Sequence, residues 1–182
     1  PPDRLQLING FTVAAGGTSS FVIDWNLRMG LTDPQGRDGY KLQPTLRIID
    51  MTEYGTIAGT VDNNLLPPVL ETCTSDVNTG DGNVVYIYEG SDVVPDDIDG
   101  NLPDPISTAD VKLNQESGLQ EYSAVFLPPG DYTVAFTCEG GDDTMPDPDQ
   151  PGLDTNDTIA FRPGINATVA DEQVTEVNFV AP

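Results

Sequence analysis

The chain of 182 residues contains no histidine. Ser-His-Asp and Cys-His catalysis are thereby excluded, as are zinc sites built on imidazole. Bases are scarce too: seven Lys plus Arg stand against thirty Asp plus Glu, a formal charge of −23. Charge of that sign and size repels phosphate backbones and anionic headgroups, so nucleic acid is not an expected partner. The two lysines, Lys41 and Lys112, lie in no nucleophile motif, and neither a G-x-S-x-G elbow nor a phosphate-cradling Gly-rich loop before a helix is present. A carboxylate pair of the glycosidase kind is the remaining enzymatic option, but among thirty acids the nearness of two carries no weight. A non-enzyme is expected. No apolar run approaches the roughly 18 to 20 residues of a spanning helix, so no transmembrane segment is expected in this chain. It opens at Pro1-Pro2-Asp3 without an initiator Met or an apolar signal segment, which reads as a processed or trimmed piece of something longer.

What is present is a period of two. In "FVIDWNLRMG", Phe21, Ile23, Trp25 and Leu27 alternate with Val22, Asp24, Asn26 and Arg28, the pattern of a strand with one buried face. Similar runs are "NGFTVAA", "PTLRIIDM", "GTIAGTV", "NVVYIYEG", "ADVKLN", "EYSAVFL", "DYTVAFTC", "DTIAFRP", "NATVA" and "TEVNFVAP". Eighteen Gly and sixteen Pro punctuate them, so a packed chain of short strands is expected, with no amphipathic helix. Such spacing predicts an all-β, antiparallel β-sandwich with long acidic loops; a barrel is the second architecture. Length allows two small domains. The sharpest local prediction is a hairpin in "YSAVFLPPGDYTVAFTC". Tyr122, Ala124 and Phe126 would form one inward face, Pro128-Pro129-Gly130-Asp131 a tight turn, and Tyr132, Val134, Phe136 and Cys138 the next inward face.

That hairpin, with "GTIAGTV" before it and "EQVTEVNFVAP" after it, resembles the transthyretin-like carboxypeptidase regulatory domain over residues 55–182. The resemblance implies a transthyretin- or immunoglobulin-like sandwich that binds, supports or extends. Upstream, residues 1–54 are similar to the closing part of domain of unknown function 4382, a family of secreted or lipid-anchored bacterial surface proteins. The likeness rests on Gly10-Phe11-Thr12-Val13, on Asp24-Trp25-Asn26-Leu27-Arg28, and on Tyr40-Lys41-Leu42-Gln43-Pro44-Thr45-Leu46-Arg47. Trp25 and Asn26 depart from the family's commoner Phe-Asp. It implies an exported protein of a bacterial outer surface or exterior, lipid-anchored through a preceding segment. The family's opening strands, which should precede Leu5, are absent from the chain. Unpaired strand edges would then be filled by a cleaved but bound piece or by a neighbouring subunit, or else residues 5 to 61 add to the second sandwich as extra strands.

Cys73 and Cys138 are the two cysteines, and in an exported protein they are expected to form one disulfide closing about 65 residues. That bond is worth roughly 3 to 4 kcal/mol in the chain-entropy model. Calcium is the chemistry this composition suits. In "CEGGDDTMPDPDQPGLDTND", Asp147, Asp149, Asp154 and Asp157 around Gly152 approximate the spacing of extracellular calcium loops, although Pro151 stands at the third-ligand position. The same stretch also reads as a solvated acidic connection. "DDIDGN", with Asp96, Asp97 and Asp99, is a weaker candidate, and "DVNTGDGN" fails the EF-hand pattern because the twelfth residue from Asp76 is Ile87. Asn156 and Asn166 match the N-glycosylation acceptor. Trp25, Tyr86, Tyr88, Tyr122 and Tyr132 would serve either as core or as a sugar-stacking platform for a polysaccharide. The function classes left are a structural or adhesive surface protein, a subunit of a filament assembled by strand exchange, and a calcium-dependent carbohydrate-binding module.

Overall fold

A computed structural model describes residues 16, 18, 20–32, 39–42, 46–51, 53–67, 73, 81–143 and 159–182. Ahead of the sandwich come β1 (Phe21–Trp25), the single turn α1 (Leu27–Gly30), β2 (Leu31–Thr32), β3 (Lys41–Leu42) and β4 (Leu46–Asp50). Then follow β5 (Gly55–Val61), β6 (Val84–Glu89), β7 (Ser107–Asp110), β8 (Lys112–Leu113), β9 (Gln120–Leu127), β10 (Gly130–Thr137), β11 (Ile165–Val169) and β12 (Val174–Glu176). Two four-stranded sheets, ordered β11-β10-β6-β7 and β12-β5-β9-β8, face one another. Their pairs are antiparallel except β12 with β5, which run parallel. The fold is an all-β sandwich. Two separate sheets, each with its own edge strands, set the barrel aside.

Between the sheets, alternate residues interdigitate. Ile57 and Val61 of β5, Val85 and Ile87 of β6, Tyr122, Ala124 and Leu127 of β9, and Tyr132, Val134 and Phe136 of β10 form one cluster with Val169 and Phe179. Phe179 lies 5.8 Å from Phe136 and 6.2 Å from Tyr122, ring centre to ring centre, so the C-terminal segment closes the aromatic centre of the core. Each such side chain contributes about 1.5 to 3 kcal/mol by leaving water. The expected inward face of β10 is present in full.

The sheet containing β6 is buried on its other face as well. Val84, Tyr86, Tyr88, Ile98 and Ala135 form a second cluster, against which Met29, Val93 and Phe161 pack. Five consecutive buried residues, Val84 to Tyr88, follow from this double cover, as in a strand enclosed from both sides. "DTIAFRP" contributes to it as a covering segment: its described residues form no strand, and Phe161 stands edge-on to Tyr86 at 5.2 Å.

The predicted hairpin is not one. β9 pairs with β5 and β8, whereas β10 pairs with β6 and β11, so Pro128-Pro129 carries the chain from one sheet to the other. Two prolines lack the N–H groups a hairpin ladder needs, and the crossing is tied by the Tyr132 hydroxyl, which donates to the Pro128 carbonyl at 2.7 Å. The β9 register also slips. Gly55 pairs with Leu127 but Ile57 with Ala124, a bulge at which Phe126 takes φ of 58°. Leu127 therefore fills the core in place of Phe126, whose ring rests half-exposed at 5.7 Å from Tyr54.

The expected buried face of β1 is a second correction. Ile23 is 59% exposed, Trp25 38% and Leu27 60%. Leu27 belongs to α1, because the Asn26 side chain accepts from the N–H groups of Arg28 and Met29 and turns the chain out of the strand. β1 pairs with β4 in a separate two-stranded ribbon, from Phe21↔Asp50 to Trp25↔Leu46. Among the described residues from 5 to 61, β5 is a strand of the sandwich, whereas β1 to β4 pair only with one another and join neither of its sheets. "NGFTVAA" lies outside the described residues.

Candidate binding surface

The ribbon docks on the edge strand β7 through polar side chains. Asn26 donates to the Thr108 hydroxyl at 3.3 Å, and Arg47 to the Ser107 hydroxyl at 3.5 Å. Arg28 reaches the Gly140 carbonyl and lies 3.4 Å from the Asp110 carboxylate. Arg47 also grips Asp24 across the ribbon through Nε at 3.1 Å and Nη2 at 2.5 Å. These contacts give the β7 edge a cover of side chains, which blocks pairing with another strand.

A groove of about 680 Å³ runs between ribbon and sandwich, with Trp25, Asp24, Arg47, Arg28 and Thr108 among its lining residues. The pairs Asp24–Arg47 and Arg28–Asp110 neutralise most of its charge, in a chain where acids otherwise prevail. Its walls offer carboxylate, guanidinium, hydroxyl and amide groups beside one indole. That set suits a neutral polar ligand held by directional hydrogen bonds.

The predicted residues fall in three groups. Cys73 and Cys138 form the expected disulfide, with Cα atoms 5.2 Å apart. It joins the segment after β5 to the end of β10. Asp147, Asp149, Asp154 and Asp157, as well as Gly152, Asp76 and Asn156, lie outside the described residues. Of the proposed aromatic platform, Tyr86, Tyr88, Tyr122 and Tyr132 are core residues, and Trp25 alone is substantially exposed. Burial pushes the hydroxyls of Tyr86, Tyr88 and Tyr122 well above the usual tyrosine range, with Asp143 adding to the rise at Tyr86 and Tyr88. Asn166 sits on β11, where its side chain donates to Asp92 and accepts from the Asp92 N–H.

"DDIDGN" is an acidic turn in which the Asp96 and Asp99 carboxylates accept from backbone N–H groups. Asp99 accepts from Asn101 N–H at 2.8 Å, and Asp104 accepts from the N–H groups of Asp99 and Gly100. Asp143 receives the Tyr86 hydroxyl and the Ile98 N–H, while the Tyr88 hydroxyl donates to the Asp96 carbonyl. Burial raises the Asp104 carboxyl above its usual value, and repulsion from Asp99 and Asp143 adds to the rise. Among the described residues, no group of three or more acid, thiol or imidazole side chains is arranged to hold a metal. Sequence reasoning missed Arg28, Arg47 and Asp143, whose contacts with Gly140, Ser107 and Ile98 span 112, 60 and 45 residues of chain; it also missed Asp104, whose partners Asp99 and Gly100 are close in sequence but are joined to it only by the local turn.

Fold and surface define a class: an all-β sandwich stapled by one disulfide, with a ribbon docked on a sheet edge. No family model, no curated protein and no solved structure matches the chain.

Proposed function

We propose that the protein is a non-enzymatic, exported β-sandwich with a structural or adhesive role at the exterior of a bacterial cell. The Cys73–Cys138 disulfide carries this reading, since such bonds form and persist in oxidising compartments. A charge of −23 suits a cation-rich exterior, and the likeness of residues 1–54 to secreted or lipid-anchored surface proteins points the same way. Protease added to intact cells that make the protein should remove it, and the thiols should react with maleimide only after reduction. Recovery from the cytosol with both thiols free would refute the proposal.

A carbohydrate-binding role is the second reading, favoured by the charge-neutralised groove beside Trp25. The only tryptophan in the chain lines it, so its fluorescence reports directly. Titration with neutral polysaccharides should quench or shift the emission, and an unchanged spectrum at saturating sugar opposes the reading. Calcium would enter through Asp147, Asp149, Asp154 and Asp157. A melting midpoint that rises with millimolar calcium supports that loop as a site, and an unmoved midpoint argues against it.

A further inference from the structure

The bond between Asp104 and Pro105 joins two unlike parts of the fold. Before it, Gly100, Asn101 and Leu102 lie on an exposed turn, Leu102 at 94%. After it, Pro105 is buried and the Ile106 N–H donates to the Ile87 carbonyl at 2.8 Å, where β7 begins to pair with β6. The Asp104 side chain folds back over the turn, its Oδ1 lying 3.3 Å from the Asp99 nitrogen and 3.4 Å from that of Gly100.

An aspartyl–prolyl bond carries its own means of scission. The side-chain carboxyl can close a five-membered ring on its own carbonyl carbon, and the proline nitrogen, which has no hydrogen and two further carbon substituents, leaves as a basic secondary amine. The fold favours the forward course. The carboxyl is held before reaction, the amine stays fixed on β6, and the acyl end belongs to the exposed turn, free to draw away and meet water. Burial keeps the proton on Asp104 to higher pH than on an ordinary aspartate, and repulsion from Asp99 and Asp143 adds to this; with the Tyr88 hydroxyl these are the titratable groups that face it. The neutral carboxyl is the form that supplies the proton the amine needs.

We propose that the chain cuts itself between Asp104 and Pro105 in mildly acidic surroundings and persists as two linked pieces. A carboxyl oxygen of Asp104 adds to the Asp104 carbonyl carbon, the C–N bond to Pro105 breaks, and the carboxyl proton passes to the proline nitrogen. Residue 104 is left as a cyclic anhydride and Pro105 as a free amine; one water then opens the anhydride to a C-terminal aspartate. Nothing is oxidised or reduced. The cut falls inside the loop closed by Cys73–Cys138, so residues 1–104 and 105–182 stay joined covalently, and β6 still pairs with β7 across the break. This reading stands apart from export and from any ligand of the groove.

The test follows the full oxidised chain at about pH 4.5 by mass spectrometry. The chain should gain one water, and reduction should release one piece ending at Asp104 and one beginning at Pro105. Two further Asp–Pro bonds, Asp33–Pro34 and Asp147–Pro148, lie outside the described residues and serve as internal references. In urea at the same pH the cut at Asp104 should slow about threefold or more, because the unfolded chain no longer holds the carboxyl in place. That comparison uses the parent chain and so holds where a variant does not fold. Asp104→Asn should abolish the cut, and Pro105→Ala, which keeps the carboxyl, should slow it about tenfold or more. An uncut chain, a cut as fast in urea as in the fold, equal cutting at all three Asp–Pro bonds of the folded chain, or a cut that survives Asp104→Asn overturns the proposal.

Discussion

At the scale of single residues, two glycines explain the "GTIAGTV" run. A Cβ on Gly59 would lie 1.8 Å from the Val177 carbonyl oxygen, and one on Gly55 would lie 2.5 Å from that of Ala170. Only a backbone without side chains lets the C-terminal segment run this close to β5. Gly59→Ala should cost about 1 to 3 kcal/mol, read as a lower urea midpoint, and should speed hydrogen exchange at the Val177 and Phe179 amides. Asp104 gives a prediction with a sign. A folded-state pKa above the unfolded one makes the carboxyl's contribution to stability fullest below the unfolded value, and that contribution fades as pH rises through the folded one. Asp104→Asn keeps an oxygen for the Asp99 and Gly100 N–H groups but removes the buried charge. The variant should match the parent near pH 3 and exceed its stability at pH 7, as measured by urea melts at both.

At the scale of elements, what could be read in the sequence was what depends on neighbours in the chain. The alternation of Tyr132, Val134, Phe136 and Cys138 announced β10, and Ile57 and Val61 announced β5, because one side chain in two faces the core. Pairing was not legible. Pro128-Pro129 reads alike as a hairpin turn and as a crossing between sheets, and which it is depends on β6, β11 and β5 far away in sequence. Nor was the bulge legible, since Phe126 and Leu127 are both apolar and either could fill the core. β1 shows the limit of the pattern itself: alternation identified the strand but not whether its apolar side meets the protein or the solvent. The turn after it rests on Asn26. Asn26→Ala should cost the α1 cap about 1 kcal/mol and raise hydrogen exchange at the Arg28 and Met29 amides, while the β10 amides keep their protection.

At the scale of the whole molecule, the composition foretold a chain whose charge opposes its compactness. Self-repulsion among thirty acids should make the melting temperature rise with added sodium chloride, an effect seen by calorimetry at fixed pH. Reducing Cys73–Cys138 should lower stability by about 4 kcal/mol for a 65-residue closure, read as a lower urea midpoint together with a steeper slope, because the unbridged unfolded chain exposes more surface. The disulfide was legible because a chain with two cysteines leaves one pairing. The groove was not, because it arises from the docking of the ribbon on β7 by residues that no local pattern connects.

The parallel pairing of β5 with β12 sets how the sandwich would bear a pull. The first strand of the sandwich and its last lie side by side, joined by Thr56 N–H to Gln173, Val177 N–H to Ala58, Phe179 N–H to Thr60 and Asp62 N–H to Phe179. Tension entering at Gly55 and leaving beyond Phe179 drags these strands lengthwise past each other, so their hydrogen bonds resist together instead of unzipping in turn. Should that clamp yield, the covalent link from Cys73 to Cys138 still withholds the span between them from extension.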